Sequence, residues 1–338
     1  MSSASARLFA RRFSDLTITT SRQLLVSPGA SLSSIAPPAA ELAAQALLAG
    51  GPLHVATPQR VGALRVRTSS SLAIDGKLEC ASAELASGGA LSLGTLRGGA
   101  LALEGGAGGV DVRRLVEGTS VRVEARGGGV RVARLLTEDA ELCAPAGPLV
   151  VGAAFSKRLA LRSGGGGVLL RGLHGAAEVA GGGGRVEARG VTGALRVRGA
   201  GGASLQFDAP RGRSSVEAAA GVELVLVAPL PPRGVRVDVA RATRVEWELG
   251  DSVAYEGGCV VEKGGVAAAA AAPTRGGSGK VSQAGAVRGF YDAGEGAEEE
   301  ISIVVACGGL LRVTVLSYLQ LIQKRVALGK SENPDVQV

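Results

Sequence analysis

The chain has 338 residues, of which 46% are hydrophobic but only 3% are aromatic, together with 53 glycines and a formal net charge of +7. This aliphatic content argues against a disordered chain, and so few aromatic rings leave few platforms for stacking sugars or nucleotide bases. Arginines alternate with glutamates, as in residues 121–126, which is typical of a solvated sheet face, so we expect no nucleic-acid partner.

The amino-terminal residues have the composition of an organellar transit peptide. Met1–Ser14 carries three arginines, four serines and no acidic residue, which favours a short amphipathic targeting helix. Arg11–Ser14 also resembles a mitochondrial presequence cleavage site. We therefore expect a mitochondrial protein, with a plastid or cytoplasmic location as alternatives, and assign residues 1–38 to a transit peptide or disordered segment. No stretch reaches the roughly 18 apolar residues of a membrane-spanning helix, so no transmembrane segment is expected.

The central region repeats an apolar-x-apolar triplet, such as Val121-Arg-Val123. Between Leu91 and Val216 the triplets start about 9.6 residues apart, with steps of about 9 to 11, and glycines fill most of the gaps. Side chains alternate across a strand, so each triplet has one face to bury, and a three-residue strand buries it only by stacking on other copies. The pattern predicts an all-β fold, a single-stranded parallel β-helix or β-solenoid with Gly-rich turns, over residues 39–250.

The length of one turn follows from the charges on the outward side chains. Two strands per turn give about 19 residues and three give about 29, and the spacing alone leaves both open. With two strands per turn, unlike charges become stacking neighbours and like charges do not, which favours about two strands per turn. The expected ladder of cross-turn ion pairs consists of Arg122, Glu141, Glu178, Arg196, Glu217 and Arg236.

The other set of strands predicts an interaction patch. Its outward residues are Ser92, Asp111, Arg131, Val150, Leu169 and Glu187. Val150 and Leu169 become adjacent exposed apolar positions, and such a patch either docks the C-terminal segment or receives a partner.

After Leu249 the rhythm breaks. Residues 251–300 contain six consecutive alanines, a Gly-Gly-Ser-Gly run and an acidic run, and are expected to be a flexible insert with a solvated acidic loop. Two β-rich runs and a short helix beginning near Ser317 are predicted in residues 301–330. We expect this segment to cap the open C-terminal end of the solenoid, with residues 331–338 as a tail.

Residues with catalytic or metal-binding chemistry are few. The four cysteines are widely separated, without a Cys-x-x-Cys pair, and are read as reduced apolar residues. His54 and His174 are too few for a three-histidine metal site, and His174 is expected to be an exposed residue of a turn. Phosphate-loop and serine-elbow motifs are absent. We expect no catalytic residue, no metal and no cofactor.

The runs SVRVEARGGGVRVARL and GGGGRVEARGVTGALRVRGAGGASLQF resemble a β-solenoid domain family that is named as an adhesin and has no known function. The resemblance covers about Leu53 to Leu249. The family is widespread in bacteria and also occurs in eukaryotic proteins predicted to be mitochondrial. It implies a β-solenoid and carries no catalytic residues.

Three functions remain open on the sequence. The first is a non-enzymatic scaffold or binding module of an organelle, which presents a rigid sheet face to an unknown protein partner. The second is a carbohydrate-active solenoid enzyme, which needs two carboxylates gathered in a groove without arginine between them. The third is a structural protein that self-associates end to end through exposed strand edges.

Overall fold

A computed structural model describes residues 16–20, 24–28, 53–57, 60–208, 213–227, 235–239, 244–249, 259–263, 266–269, 278–282, 287–291, 301–305, 310–316 and 322–323. Side chains are described for residues 60, 62–208, 213–225 and 322–323. The chain divides into two compact units, Met1–Gly184 and Arg185–Val338.

The first unit contains eleven strands in its described residues. They are β1 (Leu16–Thr20), β2 (Leu24–Pro28), β3 (Leu53–Thr57), β4 (Arg60–Thr68), β5 (Leu72–Ser87), β6 (Leu91–Gly105), β7 (Val110–Ala125), β8 (Val130–Ala144), β9 (Leu149–Ser163), β10 (Val168–Leu170) and β11 (Leu173–Ala180). From β4 to β9 each strand pairs in parallel with the next, and β10 and β11 together pair with β9. The predicted parallel β-solenoid is confirmed.

The length of one turn is close to 19 residues. Leu72 aligns with Leu91, Leu91 with Val110, and Val110 with Val130. Each turn holds two of the triplets recognised in the sequence, which confirms the expected rung. In β6 to β9 both triplets belong to one continuous strand of 15 or 16 residues.

A third group of inward residues lies between the two triplets of a turn. In β8 the buried positions are Val130, Val132, Leu135, Thr137, Ala140, Leu142 and Ala144. The steps from 132 to 135 and from 137 to 140 are three residues instead of two. A step of three is typical of a bulge, which kinks a strand. Each turn therefore has three short sides, and the two kinks separate them.

The core of the first unit is an aliphatic column. Leu91, Val112, Leu135, Leu142 and Val151 are at most 1% exposed. Small aliphatic side chains suit this narrow interior because successive turns of parallel strands lie only about 4.8 Å apart. The core agrees with the low aromatic content of the sequence.

Hydroxyl groups occupy the second kink of two successive turns. Thr137 and Ser156 are 9% and 5% exposed and align with each other. The Thr137 hydroxyl donates to the carbonyl oxygen of Asp139 at 2.8 Å, and the Ser156 hydroxyl donates to that of Arg158 at 2.9 Å. These bonds satisfy polar groups that would otherwise be buried without a partner.

Glycine is required where the turns after each long strand stack closely. A Cβ on Gly106 would lie 1.8 Å from the carbonyl oxygen of Gly88, one turn away. The Gly106 amide donates to the carbonyl of Gly89 at 2.9 Å. Any side chain at Gly106 would push these turns apart.

The second unit contains thirteen strands in its described residues. They are β12 (Arg185–Val191), β13 (Ala194–Ala200), β14 (Gly202–Phe207), β15 (Ser214–Ala218), β16 (Val222–Val227), β17 (Val235–Val239), β18 (Arg244–Leu249), β19 (Cys259–Lys263), β20 (Val266–Ala269), β21 (Ser278–Ser282), β22 (Val287–Tyr291), β23 (Ile301–Val305) and β24 (Leu310–Leu316). Parallel pairs join β12 to β14, β13 to β15 and β14 to β16, so the rung pattern is present in this unit as well.

The last two strands form a rung that is inserted out of chain order. Strand β23 pairs in parallel with β15 on one edge and with β17 on the other. Strand β24 likewise lies between β16 and β18. The carboxy-terminal strands were expected to cap the solenoid, whereas the structure places them between two earlier pairs of strands. The predicted capping helix falls largely outside the described residues, of which only Ile322 and Gln323 are helical.

Two expected boundaries also differ from the structure. Strand β1 pairs with β4, and β2 lies between β3 and β5, so part of residues 1–38 belongs to the solenoid. In residues 251–300, strands β19 to β22 make antiparallel pairs with one another or with β17 and β18. Three residues of the alanine run belong to β20, which pairs with β19. The acidic run lies outside the described residues.

Candidate interaction surface

One column of outward residues crosses the middle side of seven successive turns. The register aligns Arg60 with Glu79, Glu79 with Arg97, and Arg97 with Glu117. Arg60 lies 2.8 Å from Glu79, and Arg97 lies 2.8 Å from Glu117, measured between the side-chain nitrogen and the carboxylate oxygen. The first four positions of this column thus alternate in charge.

The same column becomes apolar in the next three turns. Glu117 aligns with Leu136, Leu136 with Phe155, and Phe155 with His174. Leu136 and Phe155 are 41% and 40% exposed, large values for apolar side chains in a strand. The rings of Phe155 and His174 stack with centroids 4.4 Å apart and planes 7° apart. His174 therefore lies in a strand, and its predicted place in a turn is wrong.

The predicted pair Val150 and Leu169 lies on the adjacent side of the same turns. The two residues align directly, and both are half-buried. Arg131 precedes them in the column, aligned with Val150. We define the apolar patch as Leu136, Val150, Phe155, Leu169 and His174, all within the first unit.

Arginines surround the apolar patch. Arg134 aligns with Ala153, which lies between Val150 and Phe155 on β9. Arg171 lies between Leu169 and His174 in the chain. Arg131, Arg134 and Arg171 are all exposed. Three exposed arginines therefore border the apolar centre, and Glu117, which pairs with Arg97, aligns with Leu136 at its edge.

The first step of the expected ion-pair ladder is present in register but not in its contacts. Arg122 aligns with Glu141, as predicted. However, Arg122 pairs with Glu124 of its own strand at 3.5 Å, and Glu141 pairs with Arg162 of the next turn at 3.3 Å. One pair lies within a strand and the other is diagonal, because these long side chains reach neighbouring positions as easily as those directly opposite.

The remaining ladder residues agree with the prediction only in part. Glu178 aligns with Ala160 in the first unit, as the series of outward residues predicts. In the second unit Arg196 aligns with Ser215, two residues from the expected Glu217. Glu217 aligns with Val304, because the inserted strand β23 separates it from β17 and Arg236. The register at Arg196 joins residues 19 apart, whereas Glu217 lies 21 residues after Arg196, and the out-of-order rung separates Glu217 from Arg236.

A shallow groove of about 560 Å³ runs beside the third side of the turns. Its lining includes Arg65, Ser82, Glu84, Ser120 and Arg122. Glu84 is the one carboxylate among the lining residues. The hydrogen bond from Arg67 and the charge of Arg65 hold the pKa of Glu84 below its usual value. A glycosidase acid needs a raised pKa and a second carboxylate, so this groove lacks that arrangement.

Cys80 and Cys143, the cysteines whose side chains are described, have no partner for disulfide or metal chemistry. Cys80 is buried, and burial raises the pKa of its thiol to about 11. Burial also raises the pKa of Cys143, assisted by the charges of Glu124 and Glu141. Within the described part of the chain, no three His, Cys, Asp or Glu side chains form a group that could hold a metal ion.

Sequence reasoning found Val150 and Leu169 but missed Leu136, Phe155 and His174. Only two triplets per turn had been recognised, and the middle side between them is short and interrupted by bulges. Its signal is the spacing of 19 residues from Leu136 to Phe155 and again to His174. That interval equals one turn and marks residues of a single column.

The described residues contain no helix long and apolar enough to cross a membrane. Comparison of the chain with protein families, curated proteins and solved structures finds no match.

Proposed function

We propose that this protein is a non-enzymatic β-solenoid scaffold of an organelle, which binds a protein partner through the apolar patch. The supporting observation is the change in one column from alternating charges at Arg60 to Glu117 to exposed apolar residues at Leu136 and Phe155. Exposed apolar side chains grouped on a rigid surface are typical of interaction sites.

The rigid backbone supports this proposal. Strands β7, β8 and β9 are paired along nearly their whole length. Side chains on such a scaffold lose little backbone freedom on binding, so less of the binding free energy is spent on ordering the site.

The mitochondrial location is part of the proposal. It is supported by the arginine-rich, acid-free Met1–Ser14 and by the position of the first described strand, which begins at Leu16. Cleavage after Phe13 would leave every described strand intact. The resemblance to the adhesin-named family, whose eukaryotic members include predicted mitochondrial proteins, supports the same location.

Proximity labelling of the intact, targeted protein tests the proposal. A labelling enzyme fused to the carboxy terminus leaves the amino-terminal segment free, and fractionation reports the organelle. We expect the Leu136→Ser/Phe155→Ser variant to lose specific labelled proteins while keeping its thermal stability. The matched control, Glu141→Ser/Ala160→Ser, changes another side of the same strands. It should label the same proteins as the wild type.

The proposal fails if the patch variant and the wild type label the same proteins to the same extent. The Val150→Asp/Leu169→Asp variant tests the other side of the patch, with thermal stability and labelled proteins as readouts. No change in either readout would remove these two residues from the patch.

A further inference from the structure

We infer that the apolar patch binds an acidic protein segment that carries apolar side chains. This inference rests on the proposed function and specifies the chemistry of its partner. It follows from the residues that lie between and beside the members of the patch.

The outward residues of three successive turns form a small grid. On β9 the row is entirely apolar and consists of Val150, Gly152, Ala153 and Phe155. A Cβ on Gly152 would lie 2.3 Å from the carbonyl oxygen of Ala133, so no side chain fits there. The row is therefore low at its centre and higher at Val150 and Phe155, a shape that accepts side chains from a partner.

Arginines lie on the neighbouring turn on each side of this row. Arg131 and Arg134 belong to β8 and align with Val150 and Ala153. Arg171 follows β10, and its amide donates to the carbonyl oxygen of Val151 on β9 at 2.9 Å. The apolar row thus lies between positive residues on both sides.

The charge of this surface is not balanced by local acids. Residues 130–136, 149–155 and 168–174, which form two sides of these turns, contain three arginines and no Asp or Glu. The acids that follow on β8, Glu138 and Asp139, pair with Lys157 and Arg158. Asp111 on β7 aligns with Arg131 and offsets part of its charge. Among the described side chains, Arg134 and Arg171 form no ion pair with an acid.

The earlier turns provide the contrast. On β4 to β7 the positive residues of the column that leads to Leu136 pair with acids, as Arg60 does with Glu79 and Arg97 with Glu117. A surface that balances its charges in one part and leaves them unbalanced around an apolar centre is complementary to an acidic, apolar partner.

An acidic protein segment fits this surface better than a nucleic acid does. The faces of Phe155 and His174 are stacked on each other, so the pair has no gap to receive a base. Phosphates would satisfy the arginines but would leave Leu136, Val150 and Leu169 uncovered. A peptide supplies both carboxylates and apolar side chains.

Binding of designed peptides to the full-length protein tests the inference. The probes are a fluorescent peptide that alternates Glu with Phe and Leu, a counterpart with Lys in place of every Glu, and a third with Ser. Fluorescence anisotropy gives their affinities. We expect the Glu peptide to bind about tenfold more tightly than the Ser peptide, and the Ser peptide more tightly than the Lys peptide.

Variants locate the site. Arg131→Glu/Arg134→Glu/Arg171→Glu should reverse the order of the Glu and Lys peptides, because each carboxylate now faces a like charge. Leu136→Ser/Phe155→Ser should lower the affinity for all three peptides by about tenfold. Arg162→Glu, on the third side of β9, should leave the order unchanged.

The possible failures are distinguishable. Equal binding of the three peptides, with loss only in the Leu136→Ser/Phe155→Ser variant, overturns the acidic preference and leaves the proposed function standing. Patch-dependent binding to phosphatidylglycerol vesicles or single-stranded DNA, with no peptide bound, would contradict the assignment of a protein as the partner. Failure of every probe to bind overturns the inference, while the labelling comparison decides the proposed function separately.

Discussion

Phe155 and His174 stack in parallel across neighbouring turns, with ring centroids 4.4 Å apart and an angle of 7° between their planes. The two residues are register partners because one turn of the solenoid takes 19 residues in this region. Leu136 occupies the same position one turn earlier. Three residues that are distant in the chain thereby form one continuous outward column.

Truncation of two adjacent leucines should lower the stability by very different amounts. Leu135 is fully buried, whereas Leu136 is 41% exposed. We expect Leu135→Ala to lower the free energy of unfolding by about 2–5 kcal/mol and Leu136→Ala by less than about 1 kcal/mol. Chemical denaturation of both variants measures the difference. Equal losses would contradict the assignment of the inward and outward sides.

The stacked turns should be intolerant of a side chain at Gly106. Alanine there would place its Cβ 1.8 Å from a backbone oxygen of Gly88. We expect Gly106→Ala to lower the free energy of unfolding by about 1–3 kcal/mol, because backbone must move to relieve the clash. In the control Gly172→Ala the nearest atoms to the new Cβ lie 3.7 Å away or farther. Similar stability of both variants would show that the turns do not stack as described.

Acid should weaken the first unit through three surface carboxylates. Hydrogen bonds from Lys77 and Arg60 lower the pKa of Glu79, and that from Arg158 lowers the pKa of Asp139. The pKa of Glu84 is lowered in the same way, by the hydrogen bond from Arg67 and the charge of Arg65.

A carboxyl group whose pKa is lowered by folding stabilises the protein above its unfolded pKa. That contribution is lost as the pH falls through the folded pKa, here from about pH 4 downward. The Glu79→Gln/Glu84→Gln/Asp139→Asn variant should therefore lose less stability between neutral pH and about pH 3 than the wild type. Denaturation at a series of pH values measures this, and an unchanged acid sensitivity would exclude these ion pairs as its source.

The charge pattern of the second unit favours the inserted rung. The register places Arg312 between Glu223 and Glu246. If β17 and β18 stacked directly on β15 and β16 at this alignment, Glu223 would face Glu246 and Glu217 would face Asp238. Like charges directly opposite each other destabilise a sheet.

Charge reversal at Arg312 tests this account of the inserted rung. Arg312→Glu should reduce the hydrogen-exchange protection of residues 235–249 and 310–316, at a cost of about 0.5–2 kcal/mol for two cross-strand pairs. Arg312→Lys should keep the protection, and Glu223→Arg/Arg312→Glu/Glu246→Arg should restore it. Unchanged protection in Arg312→Glu would contradict a role for charge in the order of the rungs.

The sequence was informative about the repeat and less so about its ends. Triplets such as Val130-Arg-Val132 and Leu149-Val-Val151 recur at regular spacing, so strand and buried face follow from the pattern, and the charges of the outward residues favour the turn length. The short strands Leu16–Thr20 and Leu24–Pro28 lie outside the regular spacing and join the solenoid through backbone pairing with β3, β4 and β5. Such pairing between distant segments leaves no periodic signal.

The sequence predicted only part of the candidate site, because only part of it follows the regular triplets. Val150 and Leu169 were recognisable because each stands at the centre of a regular triplet. Leu136 and Phe155 lie on the middle side, where the steps from Val132 to Leu135 and from Val151 to Ala154 interrupt the alternation. Only the structure, through the register of β8 and β9, brings them together.

The distance between residues 136 and 174 tests the central claim most directly, since both proposals require these positions to share one column. Spin labels at cysteines introduced there, with the native cysteines replaced, report the separation by dipolar spectroscopy. Two turns of parallel strand predict a backbone separation of about 10 Å. A separation above about 20 Å would contradict the in-register stack and remove the basis of the apolar patch.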